Sequence, residues 1–274
     1  MLEKIICPDL PEVSWPKICS MREKSEKKLL ILAYTDHSCA MAKKWNLPCV
    51  AVKSDLFPKE ELFEAALLYE TIHLVRVHEL NHIYRRFYGL PVTIFLTKRC
   101  RAQEIRISDL QLLYQMNQEY DIRVVSDAMG DEETEQEKLK SYIKYMYGFY
   151  GFGDWLFFEQ EGDGLIARAG LNLSEDAGEP VPELGFAVLP EYRQLGYGEE
   201  ICRGIITYAE TKLSAYGKIV AFSDTINFKS GKLLDKLGFK KIETLYRNGR
   251  KTCKYMYVMT KNRHSRCFFS EKSL

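Results

Sequence analysis

The most restrictive feature of this sequence is a glycine-containing segment that joins a strand-like run directly to a helix-like run. The run Glu183–Leu189 has the apolar character of a strand, and Ile201, Ile205 and Ala209 recur farther on at helical spacing. Between them lies Arg193 to Gly198, here called the glycine loop. The first amides of a helix lack intrahelical partners, and the helix dipole adds partial positive charge there. The segment therefore predicts either a phosphate-binding site or a tight turn without a ligand.

The glycine loop matches neither the G-x-G-x-x-G dinucleotide pattern nor the G-x-x-x-x-G-K-S/T phosphate pattern. It resembles the Q/R-x-x-G-x-G/A signature of the GNAT N-acetyltransferase superfamily. Its flank Glu183–Pro190 resembles the family's fourth strand, and Asn227–Phe239 resembles its N-x-x-S/A…G-F segment. The resemblance covers about residues 97–260 and implies the mixed-sheet acyl-CoA N-acyltransferase fold of that superfamily.

The resemblance implies transfer of an acetyl group from acetyl-CoA directly to an amine, either a small molecule or a peptide amino group. It implies that main-chain groups of Phe186 and Val188 pair with the pantetheine arm, and that Asn227 hydrogen-bonds this arm. A plain helix N-cap is the alternative role for Asn227. The implied contacts of the coenzyme A diphosphate are Arg193, Gln194, Leu195, Gly196, Tyr197, Gly198 and Glu199.

Two catalytic roles follow from the same resemblance. Glu183 is the candidate base that accepts the amine proton through water, and an apolar neighbourhood would strengthen it. The Val188 amide is the candidate oxyanion donor. Many family members have a tyrosine acid where this chain has Leu234, so a coenzyme A-binding module without catalysis is the second hypothesis. Tyr255 and Tyr257 on the last predicted strand could replace that acid, although packing is the expected role of such residues.

The amino-terminal part, residues 1–95, predicts a small parallel α/β (Rossmann-like) domain before an acetyltransferase domain at 96–274. Strands are predicted at Lys28–Asp36 and Cys49–Val52, and a helix from Pro58 to about Tyr69. Asp36 weakly resembles the nucleophile of haloacid dehalogenase-like phosphatases, but Ser38 stands where that family has a second acid. Acceptor recognition, dimerisation and support of the catalytic half are the roles considered for this domain.

The segment His78-Glu79-Leu-Asn-His82 fits H-E-x-x-H, the helix pattern of zinc peptidases. Glu104 is the best candidate for a third ligand of such a site. The same helix has an apolar stripe, and the histidines lie beside Arg85 and Arg86 on its polar side, where cations disfavour a metal. A zinc hydrolase is the third hypothesis, and the expectation is that no metal binds.

Other patterns concern the region that would receive the acceptor. Ser108–Gln111 predicts a capping box, and Lys138–Phe149 predicts a tyrosine-rich helix. Asp127–Glu137 contains six acids and no base, so it is expected to be solvated, with attraction of a cationic amine as the alternative.

Composition excludes several classes of function. The net charge is +1, neither half has a basic stripe, and nucleic acid is not an expected partner. Apolar runs such as Leu29–Leu32 are too short to span a membrane, and the opening residues do not form a signal peptide. Eight scattered cysteines, at positions 7, 19, 39, 49, 100, 202, 253 and 267, predict reduced thiols and a cytoplasmic location. A homodimer is compatible with the sequence.

Overall fold

The computed structural model describes residues 4–10, 13–25, 29–119 and 129–259. The chain divides into two compact units, unit 1 at Met1–Val92 and unit 2 at Thr93–Leu274. The helices are α1 Trp15–Ser25, α2 Asp36–Lys44, α3 Val77–Phe87, α4 Leu110–Glu119, α5 Glu132–Tyr142, α6 Tyr197–Lys212 and α7 Phe228–Lys236. The strands are β1 Lys4–Ile6, β2 Leu29–Ala33, β3 Cys49–Val52, β4 Leu67–Tyr69, β5 Thr93–Leu96, β6 Cys100–Glu104, β7 Asp154–Glu159, β8 Leu165–Asp176, β9 Glu179–Val188, β10 Lys218–Asp224, β11 Lys240–Arg247 and β12 Arg250–Val258.

Unit 1 is built on a parallel sheet in the order β1-β2-β3-β4. Its central strands are apolar throughout because both faces of a parallel sheet are covered. Ile18 of α1 and Ala42 of α2 pack on one face, and Leu80 and Tyr84 of α3 pack on the other. The small parallel α/β layer predicted from the sequence is confirmed.

The helix predicted from Pro58 to about Tyr69 is wrong. Residues 53–66 form turns, and the chain then adds β4 to the sheet edge. The Asp36 carboxylate accepts the amide protons of Glu61 and Leu62 at 3.1 and 2.6 Å, and these bonds replace helical ones. Leu62, with a φ of 62°, is turned into the core. A tertiary contact therefore overrides the local helical pattern.

Unit 2 contains an eight-stranded mixed sheet in the order β11-β12-β10-β9-β8-β7-β6-β5. Its neighbouring strands are antiparallel except for β9 and β10, which are parallel. Helices α6 and α7 cover one face through residues such as Ile205 and Leu234, and α4 and α5 cover the other through Leu113 and Leu139. This is the mixed α/β sheet expected for residues 96–274.

Strands β9 and β10 are paired only briefly. Glu183 pairs with Val220 and Leu184 with Ala221, and no later residue of β9 pairs with β10 in the described chain. From Gly185 to Val188, β9 remains paired with β8 alone. One edge of this segment consequently faces the gap that opens between β9 and β10.

The helices on the acceptor side differ from the sequence prediction. Helix α4 follows a short 3-10 turn in which the Asp109 carboxylate accepts the amide proton of Arg106 at 2.9 Å, so the predicted Ser108–Gln111 capping box is wrong. Helix α5 begins at Glu132, before the predicted Lys138, because Asp131 caps it and acids in its first turn complement the helix dipole. A π-helical segment, Ile143–Tyr150, follows α5.

Two glycines in the central strands provide a matched test of the sheet geometry. A Cβ at Gly170 would lie 2.2 Å from the Gly153 carbonyl oxygen, whereas a Cβ at Gly185 would meet nothing within 4 Å. Gly170→Ala is therefore expected to lower the free energy of unfolding by about 2 kcal/mol or more, because backbone must move. Gly185→Ala should change it by less than about 0.5 kcal/mol. Urea denaturation of both variants checks this, and equal destabilisation would contradict the described packing.

Candidate active site

The glycine loop reverses the chain between β9 and α6 through two residues in the left-handed region. Gln194 has a φ of 62° and Gly196 a φ of 83°. The first is a non-glycine residue in a strained conformation, which persists only where surrounding structure holds it. Such alternation turns successive main-chain N–H groups toward a common hollow, the geometry of an anion-binding nest.

The amides of this turn lack internal acceptors. Gly196 is the N-cap of α6 and supplies no side-chain cap, and its carbonyl accepts from Glu200 at 3.2 Å. Among the described residues, the N–H groups from Gln194 to Glu199 have neither a main-chain nor a side-chain acceptor. Residues 193–196 are exposed. The turn thus presents a set of unsatisfied donors, strengthened by the helix dipole, to an outside anion.

A second set of donors lies along the open edge of β9. The Leu189 amide donates to the Ile166 carbonyl on the β8 side at 2.9 Å. Because main-chain groups alternate in direction along a strand, those of Phe186 and Val188 point to the gap instead. The Arg193 guanidinium donates to the Val188 carbonyl oxygen at 2.9 Å, which leaves the Val188 N–H as the free group of that residue. The open edge leads straight into the glycine loop.

Asn227 lies across the gap, at the start of α7. Its Oδ1 accepts the amide proton of Ser230 at 3.2 Å, so the residue is an N-cap. This bond uses only the carbonyl half of the side-chain amide, and the NH₂ half keeps its donors. The capping role and a ligand-binding role are therefore compatible.

Glu183 projects from β9 on the face covered by α4 and α5. Arg247 donates to both of its carboxylate oxygens, at 2.7 and 2.9 Å, and the guanidinium carbon lies 4.1 Å from the centroid of the Phe222 ring. The apolar neighbourhood expected for Glu183 is therefore wrong, since a bidentate cation is its nearest partner. The sequence alone did not single out Arg247, because this partner is 64 residues away along the chain.

Comparison with known proteins identifies the family to which the chain belongs. The model of the acetyltransferase (GNAT) domain matches residues 99–240, which is just over half of the chain. The chain belongs to the GNAT acetyltransferase family. A search of curated proteins found no match.

Solved structures share the GNAT fold. A candidate GNAT-family acetyltransferase from Bordetella pertussis is 16% identical with a TM-score of 0.53, covering 60% of this chain and 98% of its own. A ribosomal-protein-S5-alanine acetyltransferase from Vibrio fischeri is 17% identical with a TM-score of 0.51, covering 60% and 95%. A ribosomal L7/L12 alpha-N-protein acetyltransferase in complex with coenzyme A is 12% identical with a TM-score of 0.52, covering 62% and 99%. At these identities the likeness establishes the fold alone.

GNAT acetyltransferases transfer an acetyl group from acetyl-CoA to an amine, and membership of this family assigns the same cosubstrate to the chain. The features described above fit this cosubstrate. The unsatisfied amides suit a diphosphate, and the unpaired edge of β9 suits the amide-containing pantetheine arm. Gly198 lets the helix start lie close to β9, since a Cβ there would stand 3.6 Å from Val188 and 3.3 Å from Leu233.

An apolar residue, Leu234, occupies the position where many family members have a tyrosine that acts as an acid. Leu234 is fully buried in the core beneath α7. Tyr257 donates to Glu210 at 2.9 Å, and Tyr255 is 7% exposed within the same core, with its hydroxyl beside Gly231. Both tyrosines pack as their alternating positions on a strand suggest.

An open groove of about 820 Å³ runs along α5 on the Glu183 side of the sheet. Its lining includes Glu133 and Glu137, and the described acids of the run 127–137 are mostly exposed, as expected. Tyr142, also in the lining, donates to Asn172 at 3.0 Å, and Asn172 pairs with Glu183 across β8 and β9. The Tyr142 side chain thus reaches the strand residue that stands opposite the candidate base. Asp127 lies outside the described residues.

The aromatic residues around the π-helical segment do not all line this groove. Tyr147 is buried, and its hydroxyl accepts the amide proton of Ile105 at 3.1 Å. Tyr145 and Phe149 are exposed by 58% and 78%. The aromatic residues of this segment thus lie partly in the core and partly on the surface.

The H-E-x-x-H segment lies on α3 of unit 1. Its histidine rings are 6.2 Å apart, and Glu79 accepts a hydrogen bond from Tyr69. Glu104 lies in unit 2, where it is buried. No group of three or more metal-ligating side chains occurs within the described ranges. Asp36, whose pKa is lowered by amide bonds from Glu61 and Leu62, holds the turns that follow β3.

No helix in the part of the chain that the structure describes is long and apolar enough to cross a membrane. Cys267, among the cysteines considered in the sequence, falls beyond the described ranges, and the seven described cysteines form no disulfide.

The left-handed conformation of Gly196 generates a prediction with a matched control. Gly178, in the hairpin between β8 and β9, has a φ of 82° and nothing within 4 Å of its missing Cβ, whereas a Cβ at Gly196 would make an ordinary contact with Arg99 Nη2 at 3.5 Å. Alanine should cost about 1 kcal/mol of stability at either site, because a Cβ disfavours this region. Only Gly196→Ala should weaken acetyl-CoA binding, by about tenfold, since it turns the loop amides. Calorimetric titration of both variants checks this, and equal affinities would contradict the role of the loop.

Proposed function

We propose that unit 2 catalyses direct acetyl transfer at the gap between β9 and β10, with acetyl-CoA and the amine bound together. The observation that carries the proposal is the continuity of the open β9 edge with the unsatisfied amides of Gln194 to Glu199. This continuity supports a single extended site whose length suits a pantetheine arm joined to a diphosphate.

On the side of the gap near α6 and α7, the chain would bind the cosubstrate by main-chain groups. The N–H and C=O of Phe186 would pair with the arm as an added strand, and the Val188 N–H would bind the thioester carbonyl. The glycine loop would hold the diphosphate, with the Arg193 side chain fixed at the end of β9. The Asn227 NH₂ group would bond the arm from across the gap.

The amine would arrive from the opposite face, where Glu183 projects. A primary amine has a pKa of about 10 and is mostly protonated at neutral pH, so it must lose a proton before attack. Each carboxylate oxygen of Glu183 has a lone pair beyond the one that Arg247 uses, so the residue can still accept a proton through water. Glu133, in the lining of the groove along α5, would attract the cationic amine, whereas Glu137 is paired with Lys140 and Lys138 also lines the groove.

Attack of the neutral amine on the thioester carbonyl forms a C–N bond, leaves positive charge on the nitrogen and places negative charge on the carbonyl oxygen. The nitrogen then loses a proton to solvent. The Val188 N–H would donate to that oxygen. The C–S bond then breaks, and coenzyme A leaves as a thiolate. A thiol of pKa about 8.5 is a tolerable leaving group, so protonation by solvent can replace the absent acid at Leu234.

A coenzyme A-binding module without catalysis is the second candidate, favoured by the apolar Leu234 and by the cation on Glu183. It predicts acetyl-CoA binding without release of free thiol. A thiol-release assay against amines, polyamines and peptide amino termini separates the two functions, and it also identifies the acceptor.

The remaining questions are the role of unit 1, the cellular location and the oligomeric state. We propose that the domain at 1–95 is accessory to catalysis, through acceptor recognition, dimerisation or support, and that the protein is cytoplasmic. Sedimentation of the full chain tests for a homodimer.

The proposed base gives a direct kinetic prediction. Glu183→Gln should lower kcat by about 100-fold or more, because general-base catalysis contributes roughly that factor, and leave the Kd for acetyl-CoA unchanged. Steady-state assays with the best acceptor of the panel, together with calorimetry, measure both quantities.

The matched control is Glu243→Gln, which removes an exposed carboxylate paired with Lys254. It should leave kcat within about twofold of the unaltered protein. A Glu183→Gln variant with nearly full kcat would refute the base role while leaving the transferase activity intact.

A further inference from the structure

The glycine loop is held in place by Arg99, a residue outside the loop. Arg99, in the turn between β5 and β6, donates from Nε to Glu200 at 2.7 Å and from Nη1 to the Leu195 carbonyl at 3.1 Å. Its guanidinium carbon lies 3.9 Å from the centroid of the Tyr197 ring. One side chain therefore contacts the loop, the first residue of α6 and an acid in the first turn of that helix.

Arg99 is itself held in place. Its amide donates to Glu200 at 2.7 Å, and its carbonyl accepts from the Gln160 amide at 2.9 Å. The Thr97 hydroxyl donates to the same Glu200 oxygen at 2.7 Å. Burial raises the pKa of Glu200, but these hydrogen bonds outweigh it and lower the pKa overall, so the carboxylate stays charged.

The contact with Leu195 determines where the next amide points. A trans peptide carries its C=O and its N–H on opposite sides. Since Arg99 holds the Leu195 carbonyl behind the loop, the Gly196 N–H of the same peptide is directed away from Arg99. The Gly196 N–H is one of the unsatisfied donors of the loop, so Arg99 constrains the direction of that donor.

We infer that Arg99 is a positioning residue that sets the glycine loop for the diphosphate of coenzyme A by fixing the Leu195–Gly196 peptide. The inference rests on the proposed use of the loop as the diphosphate site. Arg99 needs no contact with the cosubstrate in this role, because it acts through the main chain that it anchors.

Substitution of Arg99 by lysine separates two roles of the side chain, the ion pair with Glu200 and the hydrogen bond to the Leu195 carbonyl. An ammonium group can pair with Glu200 as a point charge, but it lacks the fork that holds the Leu195 carbonyl at the same time. Arg99→Lys should therefore keep the thermal stability and lose the positioning of the loop.

The test measures the Kd of coenzyme A, dephospho-coenzyme A and pantetheine for the full-length protein. Arg99→Lys should weaken binding of the first two by the same factor, about tenfold, because a hydrogen bond from a charged group typically contributes that much. Pantetheine, which lacks the diphosphate, should bind as before. In the ¹⁵N spectrum of the ligand-free protein, the Gly196 amide should shift.

The matched control is Arg106→Lys. Arg106 also holds a turn, since its guanidinium donates to both carboxylate oxygens of Asp109, but that turn precedes α4. Its Kd for coenzyme A should not change.

Three outcomes would overturn the inference. Unchanged coenzyme A affinity in Arg99→Lys removes the positioning role, and equal weakening of pantetheine shows a general structural defect instead. A loss confined to coenzyme A, with dephospho-coenzyme A unaffected, assigns Arg99 to the 3′-phosphate. Failure of the unaltered protein to bind coenzyme A at all would instead defeat the proposed function.

Discussion

The separation of β9 from β10 after Leu184 is the constraint on which the rest of the site depends. A strand inside a sheet normally satisfies its main-chain groups on both sides, and a buried unpaired group is costly. After Leu184, β9 keeps only its β8 partner. The N–H and C=O of Phe186 and the N–H of Val188 are therefore left for water or for a ligand, and a ligand with amides of its own is chemically equivalent to the missing strand.

The thioester and the amine would meet at the same gap. Residues on alternate faces of β9 serve different sides of the sheet, so Leu184, Phe186 and Val188 lie with α6 and α7, whereas Glu183 lies toward α4 and α5. A thioester bound along the open edge and an amine coming from the Glu183 side can meet only where the sheet is interrupted. The proposed reaction would therefore take place where the two strands separate.

Much of this architecture could be predicted from the local sequence. The glycine loop, its flanking strand and the Asn227 segment were recognisable because their signals are short and contiguous, and their order along the chain matches the fold. The element that failed, the helix after Pro58, was displaced by the bonds of Asp36 to a segment 25 residues away. Pair contacts over longer separations, such as Arg99 with Glu200, leave no periodic pattern, so they emerge only from the folded structure.

Amide hydrogen exchange followed by NMR, with and without coenzyme A, tests the central claim most directly. The account requires slowed exchange at Phe186 and Val188 and at the loop amides between Gln194 and Glu199, because the ligand would satisfy donors that have no acceptor in the described structure. Binding that left these amides exchanging as fast as before would contradict it.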